Sequence, residues 1–269
     1  MAAYRPKKRL GQHFLRSPHV IQSILDLLQC GPDTRLVEVG PGRGALTRPL
    51  AETGARLVAV EFDRDLIGYL HKLVGRLPNV EIVNADFLTF EPDETSLPTF
   101  SLVGNLPYNI TTPVLDWCII YRRRLVRAVL MVQRELGARI AAGPHTRDWS
   151  PLAICTQLHF KVERRFDVPP DSFRPVPRVS STVIELLPIA TTVDIDLSLV
   201  SRVVRASFGH RRKLLVNNLV PDVIGSAEIA KQVLSDLSLP ATCRAEELSI
   251  AQFLQLTRYL VAHNILPVE

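Results

Sequence analysis

Apolar positions recur along the chain in two alternating periods. Behind a basic segment, Ser17 and Pro18 read as a helix start, the hydroxyl as cap and the proline at the first helical position, where its missing N–H costs nothing. Val20, Ile21, Ile24, Leu25 and Leu28 then share one face, and Gly31 with Pro32 closes the helix. Arg35–Val39 reads as a short buried strand running into Gly40-Pro41-Gly42-Arg43-Gly44 and a helix over 45–53. The alternation repeats with a strand at 56–60, a helix at 63–74, and strands at Val80–Asn84 and 101–105. A helix from Thr111, a strand at 127–132 and helices at 134–142 and 149–158 follow. Strands separated by helical segments of this length imply right-handed crossovers and a parallel sheet, hence an α/β, Rossmann-like fold. Two later extended segments, 157–168 and 180–187, can pair as an antiparallel edge.

Between them, Val168-Pro169-Pro170-Asp171-Ser172-Phe173-Arg174-Pro175-Val176-Pro177 is too rich in proline for helix or central strand and is expected to be an ordered loop or a linker. Beyond Pro188 the pattern changes to short amphipathic helices, with Leu197, Val200, Val204 and Phe208 on one face. A boundary there divides the chain into an α/β domain over 1–188 and a small all-helical C-terminal domain over 189–269.

Composition adds little to that picture, but charge changes it. With 46% hydrophobic and 22% charged residues the chain is ordinary globular material, neither disordered nor a repeat array. The apolar stretch 20–28 is interrupted by Gln22, Ser23 and Asp26, so neither a signal peptide nor a membrane span is expected. Cys30, Cys118, Cys155 and Cys243 form no C-x-x-C pair, which argues against a metal site and a disulfide framework and for a reducing, cytoplasmic setting; monomer is the default. The net charge of +5 is clustered at Arg5, Lys7, Lys8 and Arg9, at Arg122, Arg123, Arg124 and Arg127, and at Arg211, Arg212 and Lys213. Three such clusters favour a polyanionic partner.

The candidate chemistry sits where the strands end. Glycines directly after a first strand let a ligand approach the backbone, and Gly40-x-Gly42-x-Gly44 lacks the third glycine that the dinucleotide pattern requires. Glu61, ending the second strand, is placed to accept the hydroxyls of a ribose, and Asp86 follows the third strand. These features suit either a nicotinamide cofactor or S-adenosylmethionine. Asn105-Leu106-Pro107-Tyr108, ending the fourth strand, separates them. An adenine amine, its lone pair delocalised into the ring, becomes nucleophilic when neutral acceptors grip its protons; a side-chain amide oxygen and a backbone carbonyl supply that grip, and an aromatic ring offers a stacking face. An RNA-binding assembly factor and a nicotinamide-dependent oxidoreductase are the competing readings; the second lacks the glycine spacing.

Together with Leu10-Gly11-Gln12-His13-Phe14-Leu15, Glu38-Val39-Gly40-Pro41-Gly42, Phe173-Arg174-Pro175-Val176-Pro177-Arg178-Val179-Ser180 and Ser207-Phe208-Gly209-His210-Arg211-Arg212-Lys213, this motif makes the chain closely resemble the ribosomal RNA adenine N6,N6-dimethyltransferases, and within them the small-subunit branch. The resemblance covers essentially the whole chain. It implies a class I S-adenosylmethionine-dependent methyltransferase acting on two adjacent adenines near the 3′ end of 16S rRNA. It further implies His13 and Leu15 beside the methionine part of the donor, Gly40 beneath it, Glu61 on the ribose, Asp86 on the adenine amine, and Asn105 touching donor and target. Leu106 and Tyr108 complete the catalytic motif, Tyr108 by stacking on the target base, with Phe173 closing from the other side. Family members often carry Asn where this chain has His13.

Overall fold

The structure, a computed structural model, describes Lys7, residues 12–190 and residues 194–266. In chain order the first elements are β1 (Phe14–Leu15), α1 (Pro18–Leu28), β2 (Arg35–Val39), α2 (Thr47–Glu52), β3 (Arg56–Glu61), α3 (Arg64–Val74), β4 (Val80–Asn84) and β5 (Phe100–Asn105). Next come α4 (Thr111–Ile120), β6 (Leu125–Gln133), α5 (Arg134–Ile140), α6 (Pro151–Gln157), β7 (Phe160–Val168), β8 (Phe173–Arg174) and β9 (Ser181–Pro188). The remaining helices are α7 (Leu197–Ser207), α8 (Leu215–Leu219), α9 (Ala227–Asp236) and α10 (Ile250–Ala262).

Seven strands form one sheet in the order β4-β3-β2-β5-β6-β9-β7. The first five are parallel, and β9 inserts antiparallel between β6 and β7. Because β2 pairs with β3 on one side and β5 on the other, the winding reverses between β2 and β5, which is where open α/β sheets bind ligands. Burial on both faces explains the unbroken apolar runs: Leu36, Val37, Leu57, Val58, Leu102, Val103 and Ala128 to Val132 are all nearly inaccessible. Most chemistry-bearing residues follow those runs, because a polar group inside a doubly covered strand loses its hydration.

Local differences from expectation have local causes. α1 ends at Leu28, not at Gly31-Pro32, because Gln29 takes a left-handed conformation (φ 51°) and returns its N–H to Leu25. Residues 45 and 46 belong to the glycine turn, so α2 starts at Thr47. Pro151 sets the start of α6 two residues after Trp149. The proline-rich stretch contains a strand that its composition concealed: β8 pairs antiparallel with β1, Phe14 opposite Arg174 and Leu15 opposite Phe173.

The chain resolves into two compact units, one of 1–137 with 160–189 and one of 138–159 with 190–269. The division expected at 188/189 therefore differs at 138–159, which groups with the helical unit. Trp149 gives the reason: it is 2% exposed in that unit's own core with Leu199, Phe253 and Leu256, and its Nε1–H donates to the Leu248 carbonyl at 2.8 Å. Ala153, Ile154 and Leu158 of the same segment join Trp149 in that core, so its apolar side chains decide where it packs.

All three basic clusters are partly consumed by the fold, the first through Lys7, which pairs with Asp63 and Asp65. Arg124 donates to the carbonyls of Asp93 (3.1 Å) and Leu97 (2.6 Å), and Arg127 pairs with buried Glu185 at 3.3 Å and bonds the Leu27 carbonyl. Both lie at the start of β6, the sheet edge opposite the strand ends that carry the candidate site. In the helical unit Arg211 bonds the Arg147 carbonyl and pairs with Glu246 at 3.6 Å, while Arg212 and Lys213 are exposed. Arg5, Lys8, Arg9, Leu10 and Gly11 lie outside the described residues.

Candidate active site at the switch point

The sheet register sets out the site before any side chain is considered. Val39 pairs with both Val60 and Gly104, so Gly40, Glu61 and Asn105 leave the sheet side by side, and Asn84 opposite Glu61 leads to Asp86. Four neighbouring strands thus deliver their chemistry to one crevice. The crevice contains a cavity of about 300 Å³, at the small end of ligand pockets, which run from about 300 to 1,000 Å³. His13, Leu15, Gly40, Glu61, Asp86, Asn105, Leu106, Tyr108 and Phe173 all line it.

Backbone geometry makes room for a ligand. Gly40 has φ 61°, and a β-carbon added there would meet nothing within 4 Å, because it would project into open space. Gly44 serves the turn instead. Its φ is 73° and an added β-carbon would come within 2.2 Å of Leu73 Cδ2. Gly44→Ala is expected to cost about 1–3 kcal/mol through that strained conformation and the contact, measured as the shift in denaturant midpoint at constant m-value.

Glu61 is fixed by its own turn. Oε2 accepts the Gly42 N–H at 2.9 Å and Oε1 accepts the Asp63 N–H at 2.7 Å, with the residue 5% exposed. Burial pushes its carboxyl above the usual range, opposed by the N–H groups of Asp63 and Gly42. Two carboxylate oxygens held at a fixed angle, each with a lone pair to spare, suit a pair of vicinal hydroxyls. Asp86 caps the short turn after β4, accepting the Leu88 N–H at 3.0 Å. Exposed Phe62 and Leu88 add apolar wall beside the two acids.

At the opposite end Asn105 Nδ2 donates to the backbone carbonyl of His13 at 2.8 Å. That bond fixes which end of the amide is the nitrogen and leaves Oδ1 as the acceptor. Leu106 donates its N–H to the Met131 carbonyl at 3.0 Å, which sets the turn from which Pro107 and Tyr108 project. The His13 ring stacks with Tyr108 at 6.2 Å between centroids, and its Nδ1–H donates to the Pro175 carbonyl at 2.7 Å. Histidine here therefore meets Asn105 through its backbone and uses its side chain on the proline-rich segment, a bond that asparagine's amide can also donate. Phe173 is 3% exposed, held in the cavity wall by β1–β8 pairing and not carried on a free loop.

The relatives of this chain are named as ribosomal RNA methyltransferases. Residues 3–262 match the family described as ribosomal RNA adenine dimethylase. The chain belongs to the ribosomal RNA adenine dimethylase family. It is 41% identical over 265 residues to "Ribosomal RNA small subunit methyltransferase A" of Geobacter sulfurreducens, covering 96% of each chain, and 35% identical to the protein of that name from Legionella pneumophila strain Corby, covering 96% of this chain and 98% of the other. Its fold superposes on a dimethyladenosine transferase from Plasmodium falciparum with a TM-score of 0.84 at 22% identity, over 94% of this chain and 99% of that one. The 23S rRNA methyltransferase ErmE gives 0.72 at 29% identity, over 92% and 99%. The dimethylase is thus an α/β methyltransferase with a class I sheet; the strand pattern foretold the α/β architecture, and the resemblance implied the methyltransferase class. Among the described residues no helix is long and apolar enough to cross a membrane.

One residue of the dimethylase site carries chemistry that motif reading passed over. Glu38, next to last in β2, lines the cavity at 2% exposure with Oε2 buried and unpartnered. Burial pushes its carboxyl up to about 8, and nearby Glu61 adds to the push. Its signal was an acid inside the apolar run Leu36 to Val39, where nothing structural asks for one. A raised folded-state pKa means that the stabilising contribution is complete below the ordinary value of 4.5 and is lost as pH rises through about 8. Ligand-free Glu38→Gln is therefore expected to flatten the fall in unfolding free energy between about pH 5 and pH 8, read from denaturant titrations at both ends. An unchanged slope would show that Glu38 ionises freely in the folded protein.

Proposed function

We propose that this dimethylase transfers methyl groups from S-adenosylmethionine to N6 of two adjacent adenines near the 3′ end of 16S rRNA, in the small ribosomal subunit or its precursor, acting as a cytoplasmic monomer. The observation that carries the reading is the Asn105 amide: its nitrogen is spent on the His13 carbonyl, which leaves Oδ1 as its acceptor, and Asn105 and Leu106 both line the switch-point cavity.

The residues present fit the donor. Gly40 offers open space at a strand end, Glu38 an unpartnered buried oxygen, and Glu61 two pinned acceptors. His13 and Leu15 would flank the methionine part with Gly40 beneath it, Glu61 would hold the ribose hydroxyls, and Asp86 the adenine amine. When bound, S-adenosylmethionine supplies an electrophilic methyl group on a sulfonium. Asn105 Oδ1 and the Leu106 carbonyl would accept the N–H groups of the target amine and turn its lone pair out of the ring. Both acceptors are neutral, so neither needs a tuned pKa, and the gain comes from alignment. Tyr108 would stack on the extruded base with Phe173 as the facing wall. The helical unit, through exposed Arg212 and Lys213, would hold backbone phosphates.

The deciding experiment incubates the protein with isotopically labelled S-adenosylmethionine and small subunits from a strain lacking the modification, followed by nucleoside analysis. Labelled N6,N6-dimethyladenosine in 16S rRNA is expected. Small subunits left unlabelled while large-subunit RNA in a parallel incubation takes up label would reject the proposed substrate, and an unlabelled product would reject the donor.

A further inference from the structure

Residues 12–15 line the proposed donor end of the cavity, and Lys7 forms an ion pair outside it. Lys7 Nζ lies 2.6 Å from Asp63 Oδ1 and 2.6 Å from Asp65 Oδ2. Asp63 Oδ2 accepts from Gln12 Nε2 at 3.0 Å, and the Lys7 N–H donates to Gln12 Oε1 at 2.8 Å. Lys7 and Gln12 are therefore tied to each other and to one carboxylate. That carboxylate is buried, its side chain 1% exposed against 30% for Lys7.

Asp63 stands two residues beyond Glu61. It caps α3 by accepting the Asp65 N–H at 3.1 Å, and its own N–H is the one that Glu61 Oε1 holds. A continuous chain of polar contacts thus runs from Lys7 through Asp63 and Glu61 to the Gly42 N–H. Residues 13–15 are fixed by Asn105 on the His13 carbonyl and by β1–β8 pairing. Lys7 itself does not line the cavity, whereas Gln12 through Leu15 do.

We infer that Lys7, with Gln12, is a positioning residue for donor binding: it latches residues 12–15 across the cavity and holds the Asp63–Glu61 turn in the geometry that receives the ribose. The inference rests on the S-adenosylmethionine reading above. It removes Lys7 from the phosphate-binding cations expected of the basic arm, since its ammonium is committed to two carboxylates. Asp63 is too buried to be hydrated in place, so removing the Lys7 ammonium takes a close opposite charge from it and loosens its hold on the turn and on Gln12. The donor must then re-order the strap on binding, and affinity falls by the fraction of molecules already in the latched state.

The test titrates the full-length protein with S-adenosylhomocysteine by calorimetry and follows steady-state methylation of small subunits. Lys7→Gln is expected to raise the Kd about tenfold, and KM for the donor likewise, with kcat at saturating donor within about twofold of wild type. Lys7→Arg restores affinity to within about twofold, and Asp65→Asn, which keeps the Asp63 pair, weakens it only about two- to threefold. A merely structural role would lower kcat and donor affinity together. Lys7→Gln with wild-type donor affinity, or with KM raised for the RNA alone, overturns the inference and returns Lys7 to the phosphate-binding cations. Wild-type protein that fails to bind S-adenosylhomocysteine overturns the donor assignment, and this inference with it.

Discussion

Replacing Asn105 by alanine is expected to lower methyl transfer at saturating donor about a thousandfold while weakening S-adenosylhomocysteine binding by less than about tenfold. The asymmetry follows from what the side chain touches. Its nitrogen donates to His13, a contact that helps seat the N-terminal segment and so contributes modestly to the donor site. Its oxygen is the acceptor proposed for the amine, and that interaction strengthens only as the nitrogen becomes pyramidal, so its loss falls on kcat. Asn105→Asp tests the division: it keeps an acceptor oxygen, gives up the donor to His13, and adds a charge near two buried carboxyls, Glu38 and Glu61. It is expected to retain more transfer than alanine and to bind donor less tightly than wild type. Single-turnover rates with small subunits, set beside calorimetry, separate the two quantities. Wild-type single-turnover transfer by Asn105→Ala would remove the amide from the mechanism.

The strand ends of this site were legible in the sequence because one physical rule wrote them. Strands buried on both faces are dominated by apolar residues, so Gly40, Glu61 and Asn105 mark where each run stops, and their order along the chain gave the crevice. What was illegible depended on partners distant in sequence. The β1–β8 pair joins Phe14 to Arg174, far apart in sequence, and two-residue strands leave no period to detect. The same pairing turned Phe173 from the tip of an expected loop into a buried wall. Charge was the most misleading signal. Lys7, Arg124, Arg127 and Arg211 look alike as members of basic clusters, yet each is committed to a carboxylate or a carbonyl that sequence spacing cannot reveal. Segment 138–159 was misassigned for a related reason: helical pattern predicts a helix, whereas the core that receives Trp149 is decided by residues 50 to 110 positions further on.

Glu61→Gln, nearly isosteric, is expected to weaken binding of S-adenosylhomocysteine by roughly a hundredfold, the loss of two charge-assisted hydrogen bonds less what a neutral amide restores. Both carboxylate oxygens already accept a backbone N–H, one from Gly42 and one from Asp63, and the proposed ribose hydroxyls would use the lone pairs that remain. An amide cannot reproduce this set. Whichever way it turns, its NH₂ faces one of those N–H groups, and only one oxygen is left to accept. The effect is separable from damage to the fold, because burial already disfavours the charged form of Glu61 and neutralising it removes that penalty. Stabilisation by ligand then gives the readout: at a ligand concentration one hundred times the wild-type Kd, wild type gains about 2.7 kcal/mol, whereas a variant with a hundredfold higher Kd gains only about 0.4 kcal/mol. Denaturant titrations with and without S-adenosylhomocysteine measure both terms in one experiment. Equal gains in the two proteins would mean that the ribose is held elsewhere, and that the two N–H contacts of Glu61 serve the glycine turn alone.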